Sequence, residues 1–395
     1  MPADANRVQL VYRDQGTVFD TVGTGAPTEI RYTSESLKQT TDNAASDEIR
    51  EDRQRSDIIR TDIRAEGDIN FELSYGEYDP FLSAGLQDAS GTGSWAGAGT
   101  AIVTTAACSL SGSVLTLDSG TFDNDPVPGD VIQISDAVAA ANNGCFTVKS
   151  VATSNAITVN ESFTSATNDI ITVTDGAYVK NGTTVNYFEL QKEFLDIDKY
   201  AYYKNMVVDG FNLTIEPGSI ITGGFNFMGT SAASTDTLSD TPVTAATTNS
   251  VMNAIDNVGT IAAGTASTAS SSFGALTGVT QIALTVGNNM RSRSEIGRLG
   301  SAQPGSGTID VTGTLQMYLE NSNELDDYLN WTTSALRFAV RGPGQKGYSF
   351  WLPKIKFTDG QRVAGGINTD VIAEMSFTAF ADASLGTLQI HRATN

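Results

Sequence analysis

Short runs in which apolar and polar residues alternate recur along most of the chain. In Ile69-Asn-Phe71-Glu-Leu73-Ser-Tyr75 the apolar side chains would share one face of a strand. The same period predicts strands at 114–117, 131–134, 146–151, 157–159, 186–190, 205–215, 219–228, 281–286, 308–319, 336–340, 350–357 and 370–380. Helical spacing is confined to two stretches, 79–86 and 323–330. Each follows a strand and is too short to hold without packing. The chain is therefore predicted to be mainly β.

The matching positions of the two helices point to an internal repeat. A first copy runs strand 30–37, a long charged loop, strand 69–75, helix 79–86, strand 186–190, then the pair KNMVVDGFNLTI and SIITGGFNFMG. A second runs strand 281–286, a loop containing RSRSEIGR, strand 308–319, helix 323–330, strand 336–340, then the pair FWLPKIKFTD and DVIAEMSFTAF. Between helix and next strand the first copy is interrupted by a Gly-, Ala-, Ser- and Thr-rich stretch with turn signals such as DNDPVPGD and NNG. The predicted organisation is a discontinuous first β domain (1–89 and 183–229), an inserted small β domain (90–182), a Ser/Thr/Ala/Gly-rich linker (230–272) with one short helical turn near 250–257, and a second β domain (273–395).

Composition narrows the functional classes. The formal charge over 395 residues is −21, yet only 17% of residues are charged, below the roughly 25% of an ordinary globular protein. An acidic surface of this kind opposes tight wrapping of nucleic acid or anionic lipid. One histidine, His391, leaves little material for triads, imidazole relays or His-rich zinc sites. Cys108 and Cys145 are too few for a disulfide scaffold or a four-thiolate site and read as two buried thiols; a bond between them needs neighbouring strands and an oxidising compartment. The first residues lack a basic start followed by an apolar run, and no stretch of about 18 apolar residues occurs. The expectation is a protein that matures in the cytosol and crosses no membrane.

Seven Asp/Glu lie between Asp47 and Glu66, interleaved with Arg50, Arg53, Arg55, Arg60 and Arg64. The arginines would compete with any metal, so the segment reads either as a solvated loop or as a surface that docks on another copy of itself. Single exposed pairs contribute only about 0–1 kcal/mol, so docking would require a network or burial. The glycine-rich GTGSWAGAGT and GGFNFMGT lack a phosphate-binding pattern, and Asp123, Asp125 and Asp130 lack the terminal Glu of a calcium loop. No carboxylate pair stands out for glycoside hydrolysis, and no cofactor or enzymatic activity is predicted.

The segment ESLKQTTDNAASDEIREDRQRSDIIRTDIRAEGDINFELSYGEYDPFLSAGL, with VNYFELQKEF and YKNMVVDGFNLTIEPGSIITGGFNFMGTSA beyond the insert, resembles the major tail tube proteins of long non-contractile-tailed (siphovirus-type) bacteriophages. The likeness spans most of 27–232; the second half is similar more loosely, lacking the SDEIREDRQ wording and carrying a shorter loop at 287–307. The resemblance implies two tail-tube-type β-sandwich domains with short flanking helices, whose strands join those of neighbours into a barrel around a channel. It implies self-assembly as stacked rings in the virion, put together in the host cytoplasm. Three chains would close a pseudo-sixfold ring, with hexameric rings as the alternative.

The implied partners are a tape-measure protein in the lumen, tail-tip and terminator proteins at the ends, and DNA that passes without binding. Stacking would fall to Arg50, Glu51, Arg53, Arg55, Asp57, Arg60, Asp62 and Arg64, with Arg291, Arg293, Glu295 and Arg298 in the second copy. The insert would face outwards. Competing readings are a secreted or virion-associated β-rich adhesin and a tail terminator or baseplate ring protein.

Overall fold

The computed structural model describes residues 4–20, 25–88, 95, 100–124, 126–236, 242–265, 273–319, 323–342, 346–364 and 370–393. In chain order the first part contains β1 (Val8–Gly16), β2 (Thr28–Glu29), β3 (Ser34–Glu35), β4 (Lys38–Ala45), β5 (Ile58–Glu72) and helix α1 (Asp79–Gly85). The insert holds β6 (Ala101–Ser111), β7 (Val114–Leu117), β8 (Val131–Ser135), β9 (Gly144–Thr153), β10 (Ala156–Val159) and β11 (Ala166–Thr174). Then come β12 (Ala177–Lys180), β13 (Tyr187–Phe194), β14 (Lys199–Ile215), β15 (Thr222–Gly229) and β16 (Ser231–Thr235). The last part contains β17 (Val258–Thr265), β18 (Phe273–Ala275), β19 (Val279–Gly287), β20 (Asp310–Tyr318), helix α2 (Asn323–Leu329), β21 (Ser334–Gly342), β22 (Lys346–Ala364), β23 (Val371–Ala379) and β24 (Gln389–Ala393). The fold is mainly β, as the alternation predicts.

Strand pairing shows the repeat more fully than the sequence does. In the first half, antiparallel pairs run β4–β5, β5–β15, β15–β14, β14–β13 and β13–β1, with β2 on β1 and β16 on the start of β14. In the second half the same order runs β19–β20, β20–β23, β23–β22, β22–β21 and β21–β17, with β18 on β17 and β24 on the start of β22. Helices α1 and α2 stand at the same place in this order. The residue just past each helix, Gln87 and Trp331, adopts the same left-handed backbone (φ 51° and 55°).

Three sequence expectations need correction. Residues 38–68 are not mostly loop: β4 and β5 form a hairpin arm through them, leaving 46–57 as its tip. The arm's outer half is solvated on both faces, and Arg64 pairs across the strands with Asp42, so apolar alternation vanishes while the backbone ladder persists. The 230–272 stretch is not simply linker, since Ser231–Thr235 completes the first half and Val258–Thr265 belongs to the second; 266–272 lie outside the described residues. The expected helical turn near 250–257 is an irregular turn with isolated bridges.

The insert closes into a barrel of order β10-β7-β6-β11-β8-β9, with its own core of Ile132, Phe146, Val148, Ile157, Ile171 and neighbours. Its strands 131–159 match the three predicted around a hairpin turn. The strand immediately after the barrel, β12, pairs not with the first half but with β24 of the second. Cys108 and Cys145 are free and buried, in separate clusters; burial pushes their thiols up to about 11 and about 12.

Candidate assembly surfaces

Antiparallel pairing between β14 and β19 joins the two halves into one sheet, ordered β4-β5-β15-β14-β19-β20-β23-β22. Alternation gives this sheet two different faces. One buried row crosses seven strands as Phe71, Gly223, Leu213, Leu284, Gly313, Phe377 and Phe357. The glycines make room for the rings beside them: a Cβ on Gly223 would lie 2.6 Å from Phe71 Cζ, and one on Gly313 would meet Phe377 Cζ. The next row, on the opposite face, reads Asn70, Gly224, Asn212, Thr285, Thr312, Thr378 and Lys356, and the row after it Glu72, Thr222, Thr214, Ala283, Thr314, Ser376 and Asp359. Small polar side chains dominate both, with Lys356 their single cation. Side-chain bonds tie this face together: Asn226 Nδ2 donates to Asp68 at 2.7 Å, and Gln361 Nε2 to Glu374 at 2.8 Å.

The seam itself is apolar beneath. Phe211 lies opposite Val286, Leu213 opposite Leu284, and Ile215 opposite Ile282. Beyond the seam, residues 288–307 of the second half fold back over the first. Asn288 Nδ2 donates to the carbonyls of Gly85 (2.9 Å) and Val208 (3.1 Å), and Gln87 Nε2 reaches the Met290 sulfur at 3.5 Å. Gln303 donates to the Tyr187 hydroxyl (2.9 Å), and Gly300 packs against Ile63 of the arm. The end of α1 is thereby buried.

Of the predicted stacking residues in the first half, Arg50, Glu51, Arg53 and Arg55 sit in the exposed tip of the arm, with Arg53 in a left-handed backbone (φ 60°). Arg50 forms a fork to Asp52 at 3.0 and 2.7 Å, which holds the Asp52 carboxyl below its usual value. Asp57 and Asp62 accept from the N–H groups of Ile58 and Ile63, while Arg60 is exposed. Arg64 pairs with Asp42 at 2.9 Å and Glu66 at 3.2 Å, within the arm. The Glu66 carboxyl is lowered first by the Thr40 hydroxyl and then by Arg64, against its own partial burial.

In the second half, Arg291, Arg293, Glu295 and Arg298 all lie in the exposed 288–307 loop. Arg291 donates to the Ser306 carbonyl, and Arg298 lies over the Phe19 ring at 5.7 Å. The structure therefore places these four on the first half's flank, not beside the arm tip. Sequence reasoning missed two isoleucines: Ile49 and Ile296 are fully exposed at the two loop tips. The signal was present in Glu48-Ile49-Arg50 and Glu295-Ile296-Gly297-Arg298.

The insert docks on the second half's other layer, the β17–β21–β22 side away from the polar face. Strand β21 is consequently covered on both sides: Leu336, Phe338 and Val340 face the main core, whereas Ala335, Arg337 and Ala339 meet the insert. Arg337 pairs with Asp130, each side chain 4% exposed, and stacks 4.7 Å over Trp351. Ser349 donates to the Gly129 carbonyl at 2.9 Å, Arg341 to that of Cys145 at 2.9 Å, and Arg341 also faces Glu161 at 3.5 Å. Burial pushes the Asp130 carboxyl up to about 7, against the pull of Arg337. His391, near this junction, is pushed down to about 3 by burial and then by the Arg337 charge.

Among the described residues no group of three or more His, Cys, Asp or Glu is arranged to hold a metal ion, and no helix is long and apolar enough to cross a membrane. No curated protein matches the chain. The family model described as phage tail tube protein matches residues 5–379. A duplicated β fold with an extended sheet, matched across nearly its whole length, belongs to the phage tail tube protein family, and the chain is a structural component of the virion.

Proposed function

We propose that three copies of this chain close a ring, that rings stack into the tail tube, and that the polar face of the joined sheet lines its channel. The observation that carries the reading is the seam between β14 and β19. It makes the two halves neighbours in one continuous sheet, each contributing four strands in the same order. Repeating that relation from chain to chain consumes the sheet's open edges, which otherwise are an aggregation hazard. Ring closure with three chains then gives six similar domains around the axis.

The channel wall follows from the rows of Thr, Asn, Ser and Gly with few charges. Such a surface offers polyanionic DNA hydrogen-bonding groups but little cationic attraction, in keeping with the net charge of −21. It is equally suited to a tape-measure protein that fills the channel before ejection. Tail-tip and terminator proteins would cap the ends, with assembly in the host cytoplasm. The insert, seated on the opposite layer, faces outwards and would appear as three knobs per ring.

Stacking between rings is assigned to the arm tip around Arg50, Glu51, Arg53 and Arg55 and to the 288–307 loop, each carrying an exposed isoleucine among its charges. Electron microscopy of the purified chain, with end-on views averaged, tests the ring, and Arg53→Glu with Arg55→Glu tests the stacking. The expected result is hollow rings with three knobs, stacked in the parent and single or in short stacks in the variant. Six knobs per ring would refute the three-chain ring; full-length tubes from the variant would refute the stacking role.

A further inference from the structure

Where the insert meets the second half, the junction does not close completely. A cleft of about 560 Å³ remains between them, within the range of roughly 300–1,000 Å³ found for small-ligand sites. Its rim is exposed and polar at Asp123 and Asn124, and Ile102 and Phe122 form an apolar wall. Its floor is buried and mixed, with Asp130 from the insert and Arg337 and Trp351 from the second half. All three floor side chains have hydrogen-bonding capacity that the chain leaves unused. Asp130 accepts from Arg337 and from the Val131 N–H (2.8 Å) on the same oxygen, Oδ1, so Oδ2 has no partner among the described residues. Arg337 spends Nη2 on Asp130 and Nε on the Ser349 hydroxyl at 3.3 Å, and nothing meets its Nη1 among the described residues. The indole N–H of Trp351, a residue 8% exposed, is buried and likewise without a partner. Unsatisfied buried polar groups are rare in folded proteins, and three around one cleft call for an occupant.

Charge decides the class of that occupant. Asp123, Asp130 and Asp175 all line the cleft and repel an anion, while the guanidinium in the floor opposes a cation. Burial raises the Asp130 and Asp175 carboxyls, which brings the cleft closer to neutral than a count of its acids implies. What remains is a set of donors and acceptors side by side. A hydroxyl group answers such a set, because it donates and accepts at once. We propose that this cleft binds a neutral sugar of about one to two rings, free or as the end of a polysaccharide. Its hydroxyls would meet Asp130 Oδ2, Arg337 Nη1 and Trp351 Nε1, and its C–H edge would lie against Ile102 and Phe122. The exposed rim at Asp123 and Asn124 gives a longer chain its way out. The site is complete within one chain, so it does not depend on ring formation.

Titration of the full-length chain by saturation-transfer NMR tests this. The neutral probes are the methyl glycosides of glucose, galactose, mannose and N-acetylglucosamine, with glucosamine and glucuronate as cationic and anionic counterparts and dextran and mannan as polysaccharides. At least one neutral glycoside should saturate at millimolar concentrations, and the two charged sugars should bind more weakly. Equal affinity for small glycosides and polysaccharides assigns a free sugar; tighter binding of a polysaccharide assigns a chain end. Trp351→Phe keeps a ring beside Arg337 but removes the N–H, and should weaken the neutral sugar roughly 2- to 12-fold, the worth of one hydrogen bond. Leu385→Trp, at a half-buried position lining the cleft, fills the space without replacing any of the three floor groups, and should abolish binding in a chain that still unfolds cooperatively. Binding of no neutral probe, tighter binding of glucosamine or glucuronate, or neutral binding that neither substitution weakens would overturn the proposal.

Discussion

Replacing Arg337 by Met removes the cation that sits between the insert and the second half and leaves Asp130 buried without a countercharge. Both side chains are 4% exposed, so water cannot take over the lost partner. An uncompensated buried charge of this kind costs about 3–5 kcal/mol, a large part of the ~5–15 kcal/mol that holds a domain together. Converting both residues, Arg337→Met with Asp130→Asn, removes the charge along with its partner and should recover most of that loss. The coupling between the two sites is then the quantity to measure, by urea denaturation of wild type, both single variants and the double variant under conditions that keep the chain monomeric.

The pH dependence adds a second check on the same pair. Burial raises the Asp130 carboxyl to about 7, so its contribution to wild-type stability is complete below the ordinary carboxylate range and is lost as pH rises towards 7. Without Arg337 that carboxyl takes up a proton more readily still. The deficit of Arg337→Met should therefore be largest above pH 7 and shrink in acid, where Asp130 is neutral. Asp175, itself raised by burial and facing the same guanidinium, should act in the same direction. A double variant no more stable than Arg337→Met, or a deficit that grows in acid, would refute the reasoning.

Two further outcomes follow from side chains at the junction and in the core. His391 is held near 3 in the fold against an ordinary value of 6.5, so stability is full above about pH 6.5 and falls as pH drops from there towards 3; between pH 6 and 4.5 the loss should approach ~2 kcal/mol, and His391→Gln should abolish that share of the acid sensitivity in denaturation curves. Gly223→Ala places a methyl 2.5 Å from the Asn212 carbonyl oxygen and 2.6 Å from the Phe71 ring, and should cost about 1–3 kcal/mol by thermal unfolding, whereas Gly218→Ala, with open space but φ of +74°, should cost only the smaller strain of a left-handed alanine.

What the sequence makes legible is what is local. The alternation that begins at Ile69, the helices at Asp79 and Asn323 and most of the shared order of elements are visible in the sequence and kept by the structure, although β5 ends at Glu72 and the strand expected at 30–37 is reduced to Ser34–Glu35. Strand β1 is missing from the predicted strands because its buried positions run Leu10, Val11, Arg13 and Gln15, two adjacent apolar residues followed by two polar ones, which breaks the apolar alternation. The outer arm was missed because solvation on both faces erases the period that marks a strand. Most of the assembly surface was invisible for a different reason: the β14–β19 register joins residues some 70 positions apart. Of the charged residues chosen from sequence, Arg50 to Asp57 lie at the arm tip and Arg291 to Arg298 in the second exposed loop, whereas Arg60, Asp62 and Arg64 belong to β5; Arg64 is spent on the arm and Arg298 on Phe19, and the isoleucine at each tip was hidden among the charges that drew attention.

Because β14 and β19 belong to one polypeptide, their meeting does not depend on protein concentration. Two separate domains would have to find each other against a loss of translational and rotational freedom of about 4–15 kcal/mol; tethered halves meet at an effective concentration in the millimolar range. The seam observed here is therefore made at any dilution, and only the remaining edges respond to mass action. Fusion also frees the halves to differ, since each always occupies its own place beside the other. One can carry a barrel-sized insert and the other none, without two kinds of subunit competing for the same position.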